Sequence, residues 1–272
     1  MIQKGNFLLL EKVEFRPWLK KQVITRNIDR LQVHHTASPN YTTRQMISGL
    51  AKQDVWKCLE GMRTYHISQG WSGTGQNITV LEDGRIAISL DRDLNKTPAG
   101  IAGSNTGAIC VEIIGNFDKG GDTMTAVQKE SVIHLYACLA EKQNLSINTD
   151  TIVYHAWYAP KTGIRLSDYI PGKSSKTCPG TAFWGDGNTI AAAQKNFLPQ
   201  IQAELNKLKG VKNVSDTKTT TTKINLITEG KTETVDGLIV DGLSYVPLRK
   251  AGDFFGATVG YDTKTKTPSL TK

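Results

Sequence analysis

AICVEIIGNF (108–117) is apolar at every position but one before it reaches Gly115. Such a run, rich in Ile and Val and closed by Gly, reads as a buried strand. The exception is Glu112, between Val111 and Ile113. A carboxylate buried without a partner is costly, so either a Lys or Arg or a metal site must account for it. Outward from this strand, RLQVHHTAS (30–38) reads as a strand running into a loop. NITVLEDGRIAISL (77–90) alternates around Asp83-Gly84, a hairpin signal. Asp150 to His155 forms a further short strand. Thr125-Ala126-Val127-Gln128 resembles a capping box and opens a helix to about Gln143; Thr42-Thr43-Arg44-Gln45 resembles another, with a helix to about Cys58. Ile190, Ala193, Phe197, Ile201 and Leu205 recur near helical spacing and place a last helix over roughly Thr189 to Lys207, with a kink at Pro199. Strands and helices intermix, which predicts an α/β unit built on one central sheet.

The composition changes near residue 209. KGVKNVSDTKTTTTK (209–223) is polar, basic and Thr-rich and reads as a linker. The expected organisation is a large unit over 1–208, a linker over 209–222 and a small α+β unit over 223–272. In the last, short β-like runs are separated by EGK and DG turns, and VPLRKAGDFFGA reads as a single helix.

The chain has 272 residues, 39% hydrophobic and 21% charged, as globular proteins do. No apolar run approaches the length of a membrane span. The N-terminus lacks the apolar core and small-residue cleavage site of a secretory signal, so synthesis and folding in the cytoplasm are expected. The net charge of +8 favours a polyanionic partner, nucleic acid or an anionic cell envelope. Lys and Arg are scattered instead of massed in a stripe with interleaved aromatics, which argues against nucleic acid. The four cysteines, Cys58, Cys110, Cys138 and Cys178, include no CxxC pair and are expected to be reduced.

Catalytic zinc usually takes three protein ligands from His, Cys or a carboxylate, plus a water. His34 and His35 end one strand at a loop, and His155 ends another. Cys178 lies in Lys176-Thr177-Cys178-Pro179-Gly180, where Pro and Gly can fix the loop and turn the thiol inward. Imidazole and thiolate together suit zinc, although by residue type alone a packed histidine is the commoner outcome. Strand alternation does not choose between His34 and His35, because a central strand can be buried on both faces.

Order and spacing add more. LQVHHTAS (31–38), RTYHISQGWSGTG (63–75), EDGRI (82–86), SNTGAICVEIIGNF (104–117), the His155 strand end and KTCPGTAF (176–183) together resemble the zinc amidase family. That family includes peptidoglycan-recognition proteins, phage endolysins of the N-acetylmuramoyl-L-alanine amidase type and related autolysins. The resemblance implies a central mixed β-sheet flanked by helices, with Zn2+ in a groove at one side. It implies His34, His155 and Cys178 as metal ligands, with His35 packing nearby. It implies Glu112 as general base and Lys176 as support for the oxyanion, where the alternative for Lys176 is an ordinary loop lysine. His66 is expected to be structural or to line the groove, and His134 to sit on a helix without a functional role.

The implied reaction is hydrolysis of the amide between N-acetylmuramic acid and L-alanine in peptidoglycan, by an endolysin or autolysin. The alternative is a non-catalytic peptidoglycan-binding protein, a type that typically loses the Cys ligand. The sequence departs from the family at Gly75-Gln76-Asn77, where many members carry Tyr in place of Gln76. LSDYIPGKSS (166–175) lengthens the stretch between His155 and Cys178 and is expected to flank the groove. The tail, VDGLIVDGLSYVPLRKAGDFFGATVGYDTKTKT (235–267), is similar to the small copper-amine-oxidase N-terminal-like repeat of bacterial envelope proteins. It has no His or Cys for copper, and wall binding, including anionic wall polymers, is its expected role.

Overall fold

A computed structural model describes residues 1–210, 220–240, 243–262 and 267–271. Two compact units divide at Lys209 and Gly210. The expected linker falls mostly on residues outside those described.

The first unit opens with a hairpin, β1 (Ile2–Lys4) and β2 (Phe7–Leu10), and helix α1 (Lys12–Lys21). Strand β3 (Arg30–His35) follows, then a small hairpin, β4 (Met46–Ile47) and β5 (Leu50–Ala51), and helix α2 (Val55–Ser68). Next come β6 (Ile78–Val80), β7 (Ile86–Ser89), β8 (Ala108–Ile113), α3 (Ala126–Gln143) and β9 (Ile152–Tyr154). The unit closes with α4 (Ile190–Ala192), a π-helical turn over Ala193–Phe197, and α5 (Leu198–Leu208). Seven strands form one sheet in the order β1-β2-β7-β6-β8-β3-β9. β6, β8, β3 and β9 run parallel to one another, and the β1-β2-β7-β6 pairings are antiparallel. This is the expected α/β architecture, a central mixed sheet flanked by helices.

The register sorts side chains onto two faces. Val33 aligns with Val111 and with Tyr154, and Val111 with Ile78, which in turn aligns with Ile88. All are buried in one cluster with Leu19 of α1, Leu135 of α3 and Ile201 of α5. The three helices therefore cover this face with apolar side chains. The opposite face divides. At its antiparallel end Phe7, Leu9 and Ala87 pack against Val55, Leu59 and Met62 of α2. At its parallel end the same face carries Gln32 and His34 from β3, Cys110 and Glu112 from β8, and Thr79 from β6.

The 77–90 hairpin turns as predicted, with Gly84 at φ +85° in the turn. Thr125 caps α3 through its hydroxyl, which accepts the Gln128 N–H at 3.1 Å. The last helix departs from α geometry just before Pro199, which has no N–H for an i−4 carbonyl; the π turn absorbs the break.

One predicted helix is absent. Residues 42–51 form turns and the β4–β5 hairpin, and α2 begins at Val55, capped by the Asp54 carboxylate accepting the Lys57 N–H. The reason is Arg44. It turns inward, 1% exposed, and donates to Glu82 Oε1 at 2.6 Å and to the Gln53 carbonyl at 2.8 Å. A helix through residue 44 would forfeit that buried pair. Gln45 and Ser48, both at positive φ, complete the turns. Helix α1 and the β1–β2 hairpin add elements that the pattern did not announce.

The second unit pairs β10 (Thr220–Thr228) with β11 (Lys231–Val240), and β11 with β12 (Leu243–Tyr245). It adds α6 (Leu248–Phe255) and the hairpin β13 (Thr258–Asp262) and β14 (Thr267–Thr271). The Glu229-Gly230 turn and the single helix are as expected. Asp236-Gly237 is not a turn: it lies within β11, with Asp236 opposite Lys223. The other DG step, Asp241-Gly242, lies outside the described residues.

The Arg44–Glu82 pair yields a stability prediction. Arg44→Met leaves Glu82 buried and unpaired and should destabilise the protein by about 3–5 kcal/mol. Adding Glu82→Leu should recover most of that loss in urea unfolding. A double variant no more stable than the single one would show that the pair is not the source.

Candidate metal centre and groove

The polar face supplies the site. Thr79, Glu112 and His34 form one row across β6, β8 and β3. Beyond His34, the chain leaving β9 places His155 at the first position of a 3₁₀ turn. His34 Nδ1 and His155 Nδ1 face each other at 3.2 Å. Cys178 is drawn to the same point by its backbone: its carbonyl accepts the Ala156 N–H at 2.7 Å. The adjacent Thr177 is held by Asn188, which donates to the Thr177 carbonyl, and by its own hydroxyl donating to Asp118. Ligand atoms of His34, His155 and Cys178 all lie within 4.8 Å of one another, and all three residues are buried.

The donor set fits zinc. Two nitrogens bound tetrahedrally at about 2.0–2.1 Å stand about 3.3 Å apart, close to the 3.2 Å seen. Burial drives His34 well below the usual imidazole range and His155 down to about 3. Both rings are therefore neutral at neutral pH and present lone pairs. Burial pushes the Cys178 thiol up, while the backbone N–H of His35, 3.3 Å from Sγ, pulls it down. A metal ion would reverse the balance, since a coordinating thiol is deprotonated outright.

Glu112 stands beside this cluster, Oε1 4.0 Å from His34 Nδ1, with its side chain 21% exposed. Desolvation pushes its carboxyl up to about 8, against the pull of Lys176. Its Oε2 is buried without a hydrogen-bond partner among the described residues. Lys176 lines the same cavity, and its charge disfavours protonation of His34 and His155. The cavity measures about 1080 Å³ and runs from the His–His–Cys cluster along α2, past Lys57, Gly61 and Tyr65.

A second triplet, His34, Cys110 and Glu112, also meets in space. It shares His34 but replaces an imidazole by a carboxylate.

His35 faces away from its neighbour's partners: its Nδ1 accepts the Phe117 N–H at 3.1 Å, and its ring packs on Phe117. The register thus sets His34 level with Glu112 and His35 level with Ile113, on opposite sides of the strand. His66 lines the cavity, stacked on Trp71 at 4.7 Å, with Nδ1 accepting the Gly75 N–H. His134 pairs with Glu204 at 2.8 Å on the helical side. Gln76 is buried and donates to Thr79 Oγ1 at 2.9 Å, next to Glu112 in the row. Sequence reasoning did not single out Gln32 or Thr79. Both sit at polar positions of alternating strands, and only the register shows that they share a face with His34.

Residues 24–181 match the N-acetylmuramoyl-L-alanine amidase family. The chain belongs to this family. Among solved structures it is similar to N-acetylmuramoyl-L-alanine amidase LysC from Clostridium intestinale, with 23% identity over 66% of this chain and 87% of that one, TM-score 0.43. It is similar also to Drosophila PGRP-LB, with 15% identity over 62% and 88% of the two chains, TM-score 0.44. A third is bumblebee PGRP-SA, with 17% identity over 64% and 88%, TM-score 0.43. No curated protein sequence matches the chain. The family match spans β3 to Cys178 and so covers every residue of the cluster; β1, β2, α1 and the second unit lie outside it.

The two triplets make different predictions for a family member that binds zinc. Cys178→Ser should drop bound zinc well below one per chain after dialysis, while Cys110→Ala should keep it. The opposite pattern in metal analysis would assign the ion to the Cys110 triplet.

Proposed function

We propose that this chain is a zinc-dependent peptidoglycan hydrolase that cleaves the amide between N-acetylmuramic acid and the L-alanine of the stem peptide. The observation that carries the reading is the buried His34–His155–Cys178 cluster with Glu112 and Lys176 opening onto the same cavity. Family membership supports the reaction class. Zinc held by the three residues would lower the pKa of a water and polarise the scissile carbonyl.

The protein's own residues supply the rest. Glu112 takes the proton from the attacking water and returns it to the leaving amine. A carboxyl lifted toward neutrality by burial is suited to both transfers, since proton transfer works best when the pKa lies near the working pH. Lys176 places a fixed positive charge where the tetrahedral oxyanion develops. Gln76 cannot act as a base; its amide holds Thr79 beside Glu112, so proton transfer rests on Glu112. The groove along α2 would take the substrate's glycan and peptide. The second unit would hold the enzyme at the wall, a role suited to an endolysin or autolysin.

Glu112→Gln should retain stoichiometric zinc and lose about 10²–10⁴-fold in release of stem peptide from purified walls. Near wild-type turnover in that variant would remove Glu112 as base. Intact zinc and wall binding with no peptide release in the wild type would instead favour a non-catalytic peptidoglycan-binding protein. Removing residues 211–272 should reduce pelleting with walls while sparing cleavage of a soluble muropeptide; unchanged pelleting would exclude the tail as the wall anchor.

A further inference from the structure

His34 turns Nδ1 toward His155 and Glu112. Its other nitrogen, Nε2, points back into the protein and has no hydrogen-bond partner among the described residues. One polar atom nearby is in the complementary position. Gln32, two residues earlier on the same face of β3, is fully buried, and its Oε1 likewise has no partner. The orientation of the Gln32 amide is set from its other end, because Nε2 donates to the Ser104 carbonyl at 2.8 Å. The amide oxygen must therefore point away from Ser104.

Gly100 shows where both atoms point. A Cβ built on Gly100 would collide with Gln32 Oε1 and come within 3.1 Å of His34 Nε2 and 2.8 Å of Cys110 Sγ. The two orphan atoms thus flank one small space, kept open because residue 100 has no side chain. The Gly100 backbone is held there by Asn105, whose Oδ1 accepts the N–H groups of Gly100 and Ile101 at 3.0 and 2.8 Å. A ring nitrogen and an amide oxygen buried without partners are each costly; with the proton on Nε2, a small shift that joins them removes both costs.

We propose that Gln32 is a positioning residue: its Oε1 accepts the Nε2–H of His34 and holds that ring in the tautomer whose Nδ1 is free to bind the metal. A metal-ligating histidine commonly gives its second N–H to an acceptor that fixes ring and tautomer. Here the acceptor is a neutral amide on the same strand. In the metal-free protein the same arrangement requires His155 to carry the proton shared between the two Nδ1 atoms, since His34 has spent its own on Gln32. The inference rests on the zinc reading only for its effect on affinity; the tautomer stands apart from it.

The test has two arms. In metal-free full-length protein, long-range ¹H–¹⁵N spectra should show His34 as the Nε2–H tautomer in the wild type. In Gln32→Leu the proton should move to Nδ1, where His155 can accept it. Zinc affinity, measured by competition with a chromophoric chelator, should fall about 10–100-fold in Gln32→Leu. Gly100→Ala, which fills the space between the two atoms, should weaken zinc in the same direction with Gln32 intact. A pure Nε2–H tautomer in Gln32→Leu, or zinc affinity within twofold of wild type in both variants, would overturn the proposal. A wild type that binds no zinc would count against the zinc reading, and the tautomer arm would still decide the role of Gln32.

Discussion

Three parallel strands, β6, β8 and β3, stand side by side with their residues in register, and alternate side chains leave the two faces chemically opposite. One face is Ile, Val and Leu under three helices. The other brings Thr79, Glu112 and His34 into a single row. This registration is the constraint on which the site depends. A slip of one residue in β8 would set Val111 or Ile113 beside His34 and turn Glu112 into the helical core. The apolar face thus fixes the geometry of the polar one, and the cost of burying the polar groups is met by packing on the other side of the same strands.

That cost is visible. Gln32 Oε1, His34 Nε2, Gln76 Oε1 and Glu112 Oε2 are all buried without partners among the described residues, and all belong to the polar face or its margin. Buried polar groups are ordinarily satisfied, and local rules are broken chiefly at functional sites. The electrostatics agree. The rings of His34 and His155 resist protonation and the Cys178 thiol resists ionisation as long as no cation is present. Neutral imidazoles and a thiol within 4.8 Å of one another are a donor set that could hold a metal ion.

Much of this was legible in the sequence. Glu112 stood out because an acid interrupts an apolar strand; His34, His155 and Cys178 lie at strand ends and in a Pro-Gly loop, a weak signal by itself, and the family resemblance selected them as a set. The hairpin at Asp83-Gly84 and the helix capped by Thr125 follow from local chemistry alone. What failed depended on distant partners. Thr42-Thr43-Arg44-Gln45 has the composition of a helix start, but Arg44 is claimed by Glu82, thirty-eight positions away. Helix α1 contains Pro17 and is charged along much of its length, so its weak pattern hid it. Strand alternation could not separate His34 from His35, and only the resemblance chose His34; the register puts Phe117 against His35 and His155 against His34. Gln32 and Thr79 became part of the site for the same reason.

The proposed metal set on this face of the sheet is two imidazoles and one thiolate. X-ray absorption at the zinc edge of the loaded full-length protein reads that set directly. The spectrum should show one sulfur neighbour at about 2.3 Å and two imidazole nitrogens at about 2.0–2.1 Å, with the multiple-scattering pattern of two rings. A shell without sulfur, or with a single imidazole, would contradict it.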